Sequence, residues 1–87
     1  MKLKKEFILR EVAGETIVVP VGSMALNFNG IISLDPVGTV IWKALEQGKE
    51  REEILNEILE NFEVEKEIAE TDMDEFLKQL QDNHFME

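Results

Sequence analysis

Only one residue in this chain has the side chain of a general base poised near neutrality. It is His84, the sole histidine among 87 residues. It stands near the C-terminus, beyond the last helix-forming residues, and reads as a solvated or half-packed tail residue rather than a base with partners. No cysteine is present, which excludes disulfides, thiolate metal ligands and cysteine nucleophiles. Asp72 and Asp74 are close enough to chelate a cation in principle. They lack the spacing and turn glycine of a calcium loop, and read as a solvated helix face. Ser23 follows a glycine but has no G-x-S-x-G frame and no basic partner. Gly14, Gly22 and Gly30 read as strand turns rather than a phosphate-cradling loop. No catalytic constellation, cofactor or metal site is expected, and the chain is not expected to be an enzyme.

Ile31-Ile32-Ser33-Leu34 differs from the other apolar runs in one respect. Alternate side chains of a strand point to opposite faces, so two adjacent isoleucines cannot both face a one-sided core. Either this chain covers the second isoleucine, or a partner does.

The elements that position this stretch follow from a change of hydrophobic period at Asp35-Pro36. Asp is a preferred helix N-cap, and Pro at the first helical position lacks only an N–H that would be unpaired anyway. Val37, Val40, Ile41, Ala44 and Leu45 then recur at helical spacing, with Trp42 near enough to wedge against the strands. Upstream, Phe7–Val12 reads as a strand that turns Phe7, Leu9 and Val12 to the core. Ala13-Gly14-Glu15 is a short turn, and Thr16–Val21 is the hairpin partner. Met24–Phe28 offers a further short strand, and Asn29-Gly30 a two-residue turn. All the strands are expected to be antiparallel, because no connection could hold a crossover. Downstream, Gly48 is a left-handed cap. A second helix over about 50–61 turns Ile54, Leu55, Ile58, Leu59 and Phe62 inward, though Lys49 marks its start poorly. A last helix over about 65–82 buries Ile68, Ala69, Met73, Phe76, Leu77 and Leu80. Asn83 is its stop, and Phe85 and Met86 can fold back on the core. The expected fold is α+β: an N-terminal antiparallel sheet of three or four strands within about 7–34, then three helices over about 36–47, 50–61 and 65–82. This is a winged-helix-like order in a single domain spanning 1–87.

Charge narrows the partners. The net charge is −10, and residues 46–75 carry 13 Asp/Glu against 3 Lys/Arg while the rest carries 6 against 6. The excess therefore lies on the helical half. Such a surface repels phosphates, so nucleic acid is not expected as a partner. A winged-helix DNA-binding regulator is the alternative reading of the element order, but residues 50–61 hold one Arg and five Glu where it needs a basic recognition helix. An acidic carrier protein would need a serine at a helix start, whereas Ser23 and Ser33 both lie in the β-rich half. No apolar run approaches the roughly 20 residues needed to span a bilayer. The basic start Met1-Lys2-Leu3-Lys4-Lys5-Glu6 has no uninterrupted apolar core after it, so a cytoplasmic protein without membrane partners is expected.

The paired strands from Ile8 to Pro20, Leu34-Asp35 before a helix with Ile41-Trp42 and Leu45, Gly48, and Glu52-Glu53-Ile54 stand in an order that resembles the PqqD family. These are small peptide-binding, chaperone-like domains also called RiPP recognition elements. Asp72-Met73 with Phe76-Leu77 and Leu80 is similar to the family's D-V-x-x-F-L-x-x-L pattern. Asn83-His84 departs from it where a glycine is usual, and Ser23–Asn29 is longer than in members of the PQQ pathway itself. The second departure favours a relative serving another modified-peptide pathway. The resemblance implies a non-catalytic adaptor that binds the leader of a precursor peptide by strand addition. The leader is then presented to a modifying enzyme, often a radical SAM protein. Carried over by position, the peptide-binding residues are Ile31, Ile32, Ser33 and Leu34 on the strand, and Met73, Asp74, Leu77 and Gln81 on the last helix. Asp74 and Gln81 flank the inward stripe on one side and Gln79 on the other, and spacing leaves open which flank faces the peptide.

Overall fold

The hairpin turn fixes the register of the sheet. In a computed structural model that describes residues 2–22 and 32–87, strands β1 (Phe7–Val12) and β2 (Glu15–Pro20) are joined by Ala13 and Gly14, at φ 52° and 82°. Two left-handed residues in a two-residue loop match the right-handed twist of the flanking strands. Pairing runs from Phe7↔Pro20 to Val12↔Glu15. Strand β3 (Ile32–Leu34) adds antiparallel to the other side of β2, through Thr16↔Leu34, Ile17↔Ser33 and Val18↔Ile32, and gives the order β1-β2-β3. The further strand expected over Met24–Phe28 lies outside the described residues.

Period-two alternation then assigns the faces. Phe7, Leu9, Val18, Ile32 and Leu34 share the face toward the helices; Ile8, Arg10, Val12, Ile17, Val19 and Ser33 share the other. Val12, expected inward, is 55% exposed, because an even position joins Ile8 and Arg10 rather than Phe7 and Leu9. Of the paired isoleucines, Ile32 packs against the core, and Ile31 lies outside the described residues.

Ala13 carries a Cβ where a left-handed conformation disfavours one. Replacing Ala13 with Asn, a residue that tolerates this region and suits the turn, should stabilise the protein by about 0.5–1 kcal/mol. In a domain of this size that raises Tm by several degrees, and a thermal melt reads it directly.

Three helices cover the inner face: α1 (Pro36–Glu46), α2 (Arg51–Asn61) and α3 (Lys66–Asp82). The carboxylate of Asp35 caps α1, its Oδ1 accepting the Gly38 N–H at 2.7 Å. Helix α2 starts on a capping box in which Glu53 accepts the backbone N–H of Glu50 at 3.2 Å. Helix α1 ends with Gly48 at φ 79°. There the N–H groups of Gly48 and Lys49 return to the carbonyls of Leu45 and Ala44. Helix α3 ends the same way, but the left-handed residue is His84 (φ 65°), not the expected Asn83. The N–H groups of His84 and Phe85 bond the carbonyls of Gln81 and Leu80, the six-residue C-terminal motif that feeds an apolar residue back onto the helix.

That residue is Phe85. It is buried, its ring 4.4 Å from that of Phe7 and tilted at 48° to it, and set edge-on to Trp42 at 6.0 Å. Trp42, Ile41, Ala44 and Leu45 of α1, Ile54, Leu55 and Ile58 of α2, and Ala69, Met73, Leu77 and Leu80 of α3 complete the core. The terminal segments are clasped together: Leu3 bridges Met86, Lys4 N–H bonds Phe85 C=O, and Glu87 N–H bonds Lys2 C=O. No described helix is long and apolar enough to cross a membrane.

Candidate functional site

Backbone direction along β3 follows from the hairpin. A two-residue loop makes Val12↔Glu15 a hydrogen-bonded pair, and bonded pairs alternate with non-bonded ones along an antiparallel ladder. Glu15, Ile17 and Val19 therefore aim their N–H and C=O groups at β1. Val21, the next in that series, donates to Glu6 C=O at 2.7 Å. Thr16 and Val18 aim theirs the opposite way, at Leu34 and Ile32 of β3. Ser33, set between those two, turns both its backbone groups away from β2. Among the described residues no strand pairs with that outer edge, where Ser33 turns a donor and an acceptor.

The residue after β3 opens a groove. Asp35, Val37, Gly38 and Ile41 from the start of α1, and Asp72, Glu75, Phe76 and Gln79 from α3, enclose about 290 Å³. Gly38 sets how closely the helices approach. A Cβ there would stand 3.2 Å from Asp35 Oδ1 and 3.3 Å from Phe76 Cε1, so the bare backbone lets the Phe76 ring lie against α1. A second groove of about 700 Å³ lies on the other side of α1, against the end of the sheet, with Thr16, Leu34, Val40 and Phe62 in its lining. Only the first has α3 as a wall.

The groove meets α3 along the flank that carries Gln79. Ile68, Asp72, Glu75 and Gln79 recur at i, i+4, i+7 and i+11, which places them on one strip of the helix. Ile68, expected to be buried, is 50% exposed on this strip, because the core stripe runs through Ala69, Met73, Leu77 and Leu80, one step around. Of the helix residues singled out by sequence, Met73 and Leu77 are buried in the core. Asp74 and Gln81 occupy the opposite flank, outside the lining of this groove. Spacing alone passed over Asp72, Glu75 and Phe76; the available signal was an isoleucine lying off the core stripe in step with two carboxylates.

Asp74 has a structural partner on its own flank. Arg51 of α2 donates to it twice, Nε to Oδ1 at 2.9 Å and Nη2 to Oδ2 at 2.8 Å, and Nη2 also reaches Glu70 at 3.4 Å. The hydrogen bond from Arg51 lowers the Asp74 pKa below its ordinary 3.8, with a coulombic contribution in the same direction. The same hydrogen bond raises that of the guanidinium. A carboxylate with a depressed folded pKa stabilises above its unfolded value, and the contribution disappears as pH falls through the folded one. Asp74→Asn should therefore show a small deficit in urea stability at neutral pH, both side chains being well exposed. That deficit should begin to shrink as pH falls to about 3.8 and vanish only below the lower folded value. Lys49, in the connection before α2, and Glu57, in the middle of that helix, form a second ion pair. Among the described residues no group of three or more His, Cys, Asp or Glu could hold a metal ion.

Comparison with known proteins bears on this geometry. A family model described as Coenzyme PQQ synthesis protein D (PqqD) matches residues 8–86. Among solved structures, TbiB1 in complex with the TbiA(beta) leader peptide is 28% identical and superposes with a TM-score of 0.80, over 100% of this chain and 95% of that one. Lasso peptide synthetase B1 complexed with the leader peptide is 19% identical with a TM-score of 0.75, over 98% and 93%. At that identity the second likeness is one of fold. No curated protein matches the chain.

Proposed function

Because the chain belongs to the PqqD family, we propose that it is a non-catalytic adaptor, which captures the leader of a ribosomally made precursor peptide and presents it to a modifying enzyme. The observation that carries this reading is the outward-turned backbone of Ser33, two residues before Asp35, which begins the groove whose far wall is α3. Strand addition draws affinity from main-chain hydrogen bonds and selectivity from pockets beneath alternate side chains. Both parts are present here. The leader-peptide complex formed by TbiB1, a structural relative across the whole chain, supports the same reading. The peptide-binding residues on this account are Ile32, Ser33 and Leu34 on the strand, with Asp72, Glu75, Phe76 and Gln79 on α3. Ile31 remains part of the proposed edge from its place in the sequence. Met73 and Leu77 act from beneath, by holding the wall in place.

A radical SAM protein is the enzyme partner that the family resemblance implies. Co-purification with each modifying enzyme encoded beside this chain tests that part separately. Amide-shift mapping tests the capture itself, with a synthetic leader from a precursor encoded beside the chain as the probe. Shifts should concentrate at 32–34 and at 72, 75, 76 and 79, and spare 74 and 81. Shifts centred on α2, or none at all, would overturn the proposal.

A further inference from the structure

Of the six carboxylates of α3, three have a described ion-pair partner, and Glu67, Asp72 and Glu75 have none. On the flank toward α2, Glu70 and Asp74 share Arg51, and near the helix end Asp82 takes Lys78. On the groove flank, Asp72 and Glu75 are exposed, and no described cation forms an ion pair with either. Asp35 adds a third carboxylate to the same lining, and no Lys, Arg or His contributes to it. The remaining lining is Val37, Gly38, Ile41, Phe76 and Gln79, with Ile41 buried and the Phe76 ring half-buried. The described ion pairs thus leave every carboxylate that lines the groove, Asp35, Asp72 and Glu75, uncompensated.

Resting on the peptide-capture reading above, we infer that the segment docked in this groove carries a lysine or arginine, its aliphatic stem over Ile41 and Phe76 and its charged tip between Asp72 and Glu75. Long basic side chains pair an apolar stem with a charged head in this way. The groove supplies a complement to each part, and rim charges of one sign select partners of the other. An acidic segment meets repulsion from three carboxylates. A wholly apolar one shields Asp72 and Glu75 from water and gives them no counter-charge.

The test is selection from a displayed library of random peptides, run against the full chain and against an Asp72→Asn, Glu75→Gln double variant. Both substitutions are close in shape to the parent and lie at exposed positions, so both proteins should fold. Peptides selected on the parent should be enriched in Lys or Arg at one position of the bound segment, and those selected on the variant should not. A selected peptide resynthesised with that residue as Gln should bind the parent roughly two- to fivefold more weakly. The same change should leave binding to the double variant untouched, and added salt should shrink the difference on the parent. Asp74→Asn, on the far flank, should keep the parent's preference. Binders without a basic preference, or an equal loss on parent and double variant, overturn this inference and leave peptide capture standing. The absence of any selected binder overturns both.

Discussion

Trp42→Ala should remove about 3–5 kcal/mol of stability. A domain of this size has roughly 5–15 kcal/mol in all, so the variant should be partly unfolded at physiological temperature. The indole is buried, edge-on to Phe85, which itself lies tilted against Phe7. Its removal therefore opens a cavity where β1, α1 and the C-terminal segment meet. Nε1 is buried with no hydrogen-bond partner among the described residues. The ring contributes by volume and edge contact, not through its polar atom. Trp42→Phe discards that unpaired donor and keeps much of the packing, so it should lose far less than Trp42→Ala. Urea titrations of the two variants check this, and a loss under about 1 kcal/mol for Ala would make the ring peripheral.

On the strand-addition proposal, Ser33→Pro should weaken leader binding sharply and leave the fold in place. Ser33 is the β3 residue whose N–H faces outward, so proline there costs the sheet no ladder bond and suits an edge strand. It does remove the donor an incoming strand would use, and it sets the pyrrolidine ring in that strand's path. A binding loss of roughly tenfold or more is expected, with Tm nearly unchanged. Ile32→Pro is the contrasting case, because the Ile32 N–H is engaged with Val18 on β2, and this variant should lose stability first. Ile32→Lys should also unfold the protein, since Ile32 faces the core. Calorimetric titration of each variant with the leader peptide, alongside a thermal melt, separates binding from folding. Unimpaired binding by Ser33→Pro would remove strand addition from the mechanism.

The parts of this fold legible in the sequence are those set by neighbours along the chain. Asp35-Pro36 announced the start of α1, and the Asp35 side chain does cap it. Phe7–Val12 and its partner strand were marked by β-branched runs around Gly14. Other features needed contacts between distant residues. The α2 start was obscure because its capping box uses Glu50 and Glu53, where Ser or Thr would ordinarily lead. Ile68 looked buried because it adjoins Ala69, and only packing against α2 and the sheet decides which of two neighbours turns inward. The flank of α3 that lines the groove is symmetric in spacing; it is distinguished by Arg51, 23 residues away from Asp74. The outward N–H of Ser33 likewise appears only once the turn has fixed the register from β1 through β2.

The clasp between residues 2–4 and 85–87 has a consequence for the order of folding. It joins almost the whole length of the chain, so its closure carries the highest loop entropy of any contact described here. The β1–β2 hairpin and the α1–α2 and α2–α3 pairs involve short separations and can form early. The clasp can close only on a structure already collapsed. Phe85 belongs to both worlds: the local turn after α3 aims it inward, and the long-range bond to Lys4 locks it there. Folding should thus end where the aromatic cluster is sealed, and transient opening of the native protein should begin at that seam.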